Sequence, residues 1–218
     1  MKLKKERYFG PLIQSGVELS YLKVMTIISL FISGILFWGI SQNNLYPDFE
    51  KILLAIVMIC IFGFLYSMID VLVVKFKVLS YILLSIMFAI IMLDFNFFGL
   101  ILIVGDEGLS SLIAKFYIIF IIVCFIGSCA IYIWYYLPQN QGKRWKFNQW
   151  GVGKEKSKFR SNFGIVFGAV IFIPALLTGY LQNIFGLFLG FLLTLVMPAL
   201  VVDSFYAAYH AYKYPSGK

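Results

Sequence analysis

Charge is scarce in this sequence. Asp, Glu, Lys and Arg make up 13% of the 218 residues, against roughly a quarter in a soluble domain. A chain so poor in charge has no polar surface to show to water, which excludes a soluble globule. Histidine is nearly missing, with His210 standing alone. A single histidine cannot supply the HExxH pair of a zinc protease. At the edge of an apolar run it is also badly placed for a buried serine–histidine pair. The three arginines, Arg7, Arg144 and Arg160, lie outside the apolar runs, so the carboxylate–arginine clusters of phosphate-handling lipid enzymes are not expected. Intramembrane aspartyl chemistry needs two facing carboxylates in the core, and no such pair is evident. No catalytic activity, cofactor or metal is expected. The cysteines Cys60, Cys124 and Cys129 are odd in number and sit inside apolar runs, the pattern of free buried thiols.

What is there is mostly apolar, 61% of the chain. A helix needs about 20 apolar residues to cross the hydrocarbon of a bilayer. Six runs qualify: 22–40, 52–74, 78–104, 113–137, 163–181 and 184–205. Stretches such as ILLAIVMICIFGFL lack the alternation of a β-barrel, and helices are the other way to satisfy a backbone in lipid. The expected fold is an all-α integral membrane protein, a six-transmembrane-helix bundle formed by one polytopic domain over 1–218. The start, MKLKKERYFG, looks like a signal-peptide n-region. The apolar run after it ends without a small-x-small cleavage pattern, so it is read as a retained first span.

The basic residues orient this bundle. Lys2, Lys4, Lys5, Arg7 and Lys23 precede the first run, Lys75 and Lys77 separate the second from the third, and Lys213 and Lys218 follow the sixth. The window QNQGKRWKFNQWGVGKEKSKFR separates the fourth from the fifth. The other connections hold Asp48, Glu50, Asp106 and Glu107, with Lys51 and Lys115 the two basic residues out of eighteen on that side. The positive-inside rule makes the basic side cytoplasmic, with both termini inside. The protein is expected in a bacterial cytoplasmic membrane, Lys over Arg and abundant Ile and Phe being the usage of an AT-rich genome.

The basic window forms a cytoplasmic loop over 138–162. Lys143, Arg144, Lys146, Lys154, Lys156, Lys158 and Arg160 are interleaved with Trp145, Phe147 and Trp150. This is the composition of a segment lying on anionic headgroups; docking a protein partner is the alternative, and nucleic acid is not expected. GVGKEK is no phosphate loop, because Glu155 stands where Ser or Thr is needed.

Ionisable residues inside spans are costly and functional by default. Asp70 shares a helical face with Gly63, Ser67 and Lys77 if the second run is one helix, and it either faces the bundle or pairs with Lys75 or Lys77 at the interface. Asp94 lies in a run of roughly 40 Å as helix, longer than a core of roughly 30 Å. Either that helix tilts, or it ends near Asp94 and leaves it at the outer surface. Asp203, Tyr206 and His210 share a face, as a proton relay or as part of an aromatic belt with Tyr209, Tyr212 and Tyr214.

Small residues recur at four-residue spacing: Gly164 and Gly168, Ala175 and Gly179, Gly186 and Gly190. Folding the last two runs as a tight hairpin places Gly179 opposite Gly186 and Ala175 opposite Gly190, leaving Gly164 and Gly168 for another helix or another copy. Pro174 and Pro198 are expected to kink these helices. The functional expectation is a non-catalytic protein acting by contact, such as an immunity protein against a membrane-active toxin or bacteriocin, or an accessory subunit of a secretion machine. The alternative is a small transporter or permease subunit with a separate energising partner. The bilayer, a protein partner and a homo-oligomer are the partners considered.

Overall fold

The computed structural model describes residues 18–43, 47–104, 111–137, 140 and 181–213. Apart from Leu181 and Asn140, the expected span over 163–181 and the 138–162 loop lie outside the described residues, as do Gly164, Gly168, Ala175 and Gly179. Within them the chain is all-helical: α1 (Tyr21–Asn43), α2 (Pro47–Ser67), the short α3 (Asp70–Lys75), α4 (Lys77–Val104), α5 (Leu112–Tyr136) and α6 (Leu181–Lys213). Five of these helices are long and apolar enough to cross a membrane.

The helices pack inside out. On α1, Thr26, Ser29 and Ser33 are buried at helical spacing, while Phe31 and Trp38 are 68% and 66% exposed. Lipid tails are as apolar as leucine, so burying leucine gains little in a membrane, and packing and interhelical hydrogen bonds hold the bundle instead. Helix α4 collects those bonds. Ser33 of α1 donates to Asp94 at 2.5 Å, and Ser29 to the Met87 carbonyl at 3.3 Å. Tyr66 of α2 shares a hydrogen bond with Ser80 at 2.8 Å, and Ser80 donates to the Val73 carbonyl of α3 at 2.9 Å. Tyr117 of α5 donates to the Asn96 carbonyl at 3.3 Å. Ser85 donates to the Val201 carbonyl of α6 at 2.9 Å, and Asn183 of α6 donates to the Ile103 carbonyl at 2.9 Å.

These pairs also give the helix directions. From Ser85 to Ile103, α4 rises while its partners on α6 fall from Val201 to Asn183, an antiparallel pairing over about 27 Å of helix. Helix α1 runs with α4, and α2 runs against α1, as the Thr26–Ser67 and Ser33–Cys60 pairs show. Helix α5 runs against α4 and parallel to α6: Phe120 stacks on Phe191, and further along Tyr132 donates to the Leu195 carbonyl.

One expectation changes, and one open alternative is decided. The second run is not one helix over 52–74: α2 stops at Ser67, and Asp70 opens α3. The apolar sequence across Met68 and Ile69 carries no glycine or proline to mark this corner. Tyr66 closes it, reaching the Leu72 carbonyl at 3.3 Å as well as Ser80. Gly63, Ser67, Asp70 and Lys77 therefore do not share one helix face. The 78–104 run, in contrast, does not break at Asp94: α4 is continuous through Asp94, Asn96 and Gly99. Helix α6 likewise continues through Pro198.

Helices α4 and α6 meet at Gly99 and Gly186. A Cβ on Gly186 would stand 2.7 Å from the Gly99 carbonyl oxygen, and one on Gly99 would stand 2.7 Å from that of Gly186. At Gly190 a Cβ would overlap the Tyr117 hydroxyl. The close neighbours of Gly186 and Gly190 seen here thus belong to α4 and α5. Gly99→Ala and Gly186→Ala should each lower stability by about 1–3 kcal/mol, because backbone must move to admit the methyl. Gly34→Ala and Gly127→Ala, which meet nothing within 4 Å, should not. Thermal unfolding in detergent checks this; equal midpoints for all four variants would refute the contact.

Candidate functional site

The site grows from the hydroxyl stripe of α1. Ser33 stands about midway along that helix and faces α2 and α4 at once. Its hydroxyl donates to Asp94 Oδ2 at 2.5 Å and lies 3.8 Å from Cys60 Sγ. Asp94 is 1% exposed, and its Oδ1 has no hydrogen-bond partner among the described residues. A carboxylate is thus held among three apolar helices by one hydroxyl, which the Cys60 thiol in turn approaches. Asp94 is followed on α4 by a second polar group. Asn96 Nδ2 donates to the Met92 carbonyl at 2.8 Å and to Thr194 Oγ1 at 3.0 Å, and the Thr194 hydroxyl lies 3.1 Å from Asn96 Oδ1. The Tyr117 hydroxyl reaches the same Oδ1 at 3.4 Å. This amide is satisfied on several sides and joins α4, α5 and α6.

The sequence candidates fall in different places. Asp94 is inside the bundle, not at an outer surface. Asp203 is also 1% exposed and lies within electrostatic range of the Tyr81 hydroxyl, as does Glu18. Tyr81 and Asp94 are separated by about 20 Å of α4, so the two carboxylates occupy separate sites. Asp70 is exposed in the first turn of α3, where the helix dipole favours it, and it does not face the bundle. Tyr206 and His210 are half-buried, while Tyr209 and Tyr212 are exposed, as belt residues would be. All three cysteines are free. The residues of the basic window named above lie outside the described residues.

Sequence reading missed Ser29, Ser33, Cys60, Asn96, Thr194 and Tyr117 as members of polar clusters. One signal was available: Thr26, Ser29 and Ser33 recur at helical spacing within an apolar run. No three His, Cys, Asp or Glu side chains among the described residues come together as a metal site. A groove of about 510 Å³ between α4, α5 and α6 is lined mainly by Ile103, Ile113, Phe116, Phe120, Ile184 and Leu187, and it offers little for polar recognition.

Five long apolar helices with a polar interior define a multi-pass membrane protein. No family model, curated protein or solved structure matches the chain. Thr194→Val should cost about 1 kcal/mol, the scale of an interhelical hydrogen bond in a membrane, and Tyr117→Phe less, its bonds being longer. Unfolding of purified variants in mixed micelles measures both; a Thr194→Val protein as stable as the parent would dismiss the amide cluster as a clamp.

Proposed function

We propose that this chain is a small transporter or permease subunit of a bacterial cytoplasmic membrane, crossing six times with its basic end inside. The observation that carries the transport reading is Asp94. It is a carboxylate buried within membrane-spanning helices, with one oxygen unbonded and no cation beside it among the described residues. A protein that acts by its lipid-facing or loop surfaces needs no ionisable group there. An amide of the same shape would be cheaper to bury, so the acid itself points to an ion or proton pathway. The surface that would serve action by contact, the basic 138–162 loop, lies outside the described residues apart from Asn140. In the transport reading that loop contacts anionic headgroups or docks the energising partner.

Two observations favour six crossings with both termini on one side. Helices α5 and α6 are parallel, so the end of α5 and the start of α6 stand at opposite ends of the bundle, and the chain between them has to cross back. The run at 163–181 has the length for it. Lys23, Lys75, Lys77 and Lys213 stand at the end where α1 begins and α6 finishes, while Lys51, Lys115 and Glu50 stand at the other. The positive-inside rule makes the first end cytoplasmic. Reporter fusions at 76, 150 and 216 should read inside, and fusions at 45, 108 and 183 outside; an inside reading at 108 would end the six-span topology.

Transport itself is tested in proteoliposomes carrying an internal pH dye. Wild-type protein should speed collapse of an imposed pH gradient over protein-free vesicles. Asp94→Asn should lose at least tenfold of that increment, and Asp70→Asn, exposed on α3, should keep it. Vesicles with wild-type protein no leakier than empty ones would defeat the reading in favour of action by contact.

A further inference from the structure

We infer that the ligand of the Asp94 site is a proton, taken up on Oδ1 while Ser33 holds Oδ2 in place. The inference rests on the transport reading above and names what its buried acid binds. Asp94 is 1% exposed, and an unpaired carboxylate in such surroundings is among the costliest groups to bury. Something must neutralise it for part of the time. No lysine, arginine or histidine among the described residues forms an ion pair with it. From α1 it meets the hydroxyl of Ser33; from α2 the Cys60 thiol lies against that hydroxyl and is the nearby titratable group among the described residues. Helices α5 and α6 bring Tyr117 and Thr194, which are engaged with Asn96. Asp203 and Tyr81 are about 20 Å away along α4, and Asp70 and Lys75 belong to the distant corner at α3.

A metal ion fits this place poorly. Hard cations take six or more oxygen ligands, and among the described residues the site offers the two carboxyl oxygens and Ser33 Oγ. The hydroxyl of Ser29 is turned to the Met87 carbonyl. The next atom, Cys60 Sγ, is a soft donor that suits thiophilic metals, and those want several such ligands. A proton needs one lone pair, and Oδ1 has it free among the described residues. The step balances simply: one O–H bond forms on Oδ1 and the carboxylate charge is cancelled. Ser33 keeps its own proton and donates to Oδ2 in both forms.

Infrared difference spectroscopy on the full chain in phosphatidylcholine vesicles tests this directly. A protonated carboxyl has a carbonyl stretch that moves in heavy water. Wild-type protein should show such a band growing as the bulk pH falls and vanishing reversibly as it rises. The other carboxyls, Asp70 and Asp203 among them, should keep their components in Asp94→Asn, which should lose the one component of that band owed to Asp94. Ser33→Ala should keep it at a shifted frequency, because the hydrogen bond to the carboxyl is gone, and this arm holds if the Asn variant folds badly. A band present at every pH, absent at every pH, or untouched in Asp94→Asn would overturn the proton site. The pH-dye assay on the same vesicles separates the two readings. Flux without a titrating band leaves transport standing and removes the proton from Asp94, whereas a titrating band without flux keeps the site and removes transport.

Discussion

The hydrogen bonds that α4 makes to every other described helix are what the rest of the bundle depends on. In lipid no solvent drives apolar faces together, since a leucine is as well off against an acyl chain as against another helix. A serine, asparagine or aspartate on a spanning helix is different, because without a partner it stands unsatisfied in hydrocarbon. Helix α4 carries Ser80, Ser85, Asp94 and Asn96 on different sides, and each finds its partner on another helix. The polar residues therefore place α1, α2, α5 and α6 around α4. The apolar residues that dominate the sequence mostly form the outer surface.

The glycines work with this arrangement. A hydrogen bond between side chains tolerates some sliding, but carbonyl-to-glycine contact at Gly99 and Gly186 does not. Polar pairs near both ends of α4 and a steric contact between them hold α6 to one register over about 27 Å. Helix α5 lies parallel to α6 in turn, and parallel neighbours cannot be joined by a short loop.

Much of this was legible in the sequence and some was not, for physical reasons. Span positions were readable because length and apolarity are linear properties, and the runs beginning near 22, 78, 113 and 184 correspond to α1, α4, α5 and α6. The corner between α2 and α3 was not readable. Met68, Ile69 and Val71 are as compatible with a continued helix as with a turn, and what decides is Tyr66 reaching forward to Leu72 and Ser80. Asp94 could be flagged as an ionisable residue in an apolar run, but its surroundings could not. Ser33 and Cys60 are distant in the chain, and neither is unusual alone. The contact of Gly186 with Gly99 was not foreseen because small residues recur in nearly every span, and spacing alone does not choose among the helices able to meet them.

The choice of a hydroxyl beside Asp94 bears on mechanism. A lysine or arginine there would fix the acid in its charged form and make the pair a structural element, costly to break and inert to protons. A second carboxylic acid would compete for the same proton. A serine does neither, since its hydroxyl carries no charge and can donate both to a carboxylate, which it bonds more strongly, and to the carbonyl oxygen of a neutral acid. It orients the group without fixing its charge. Asn96, two residues on, shows the contrast: its amide is tied to Met92, Thr194 and Tyr117 and has no proton to exchange. The same helix thus holds one polar residue engaged on several sides and one left half-free. The contrast is in the bonding: the Asn96 amide is engaged on both of its polar atoms, whereas Asp94 keeps one oxygen without a partner among the described residues.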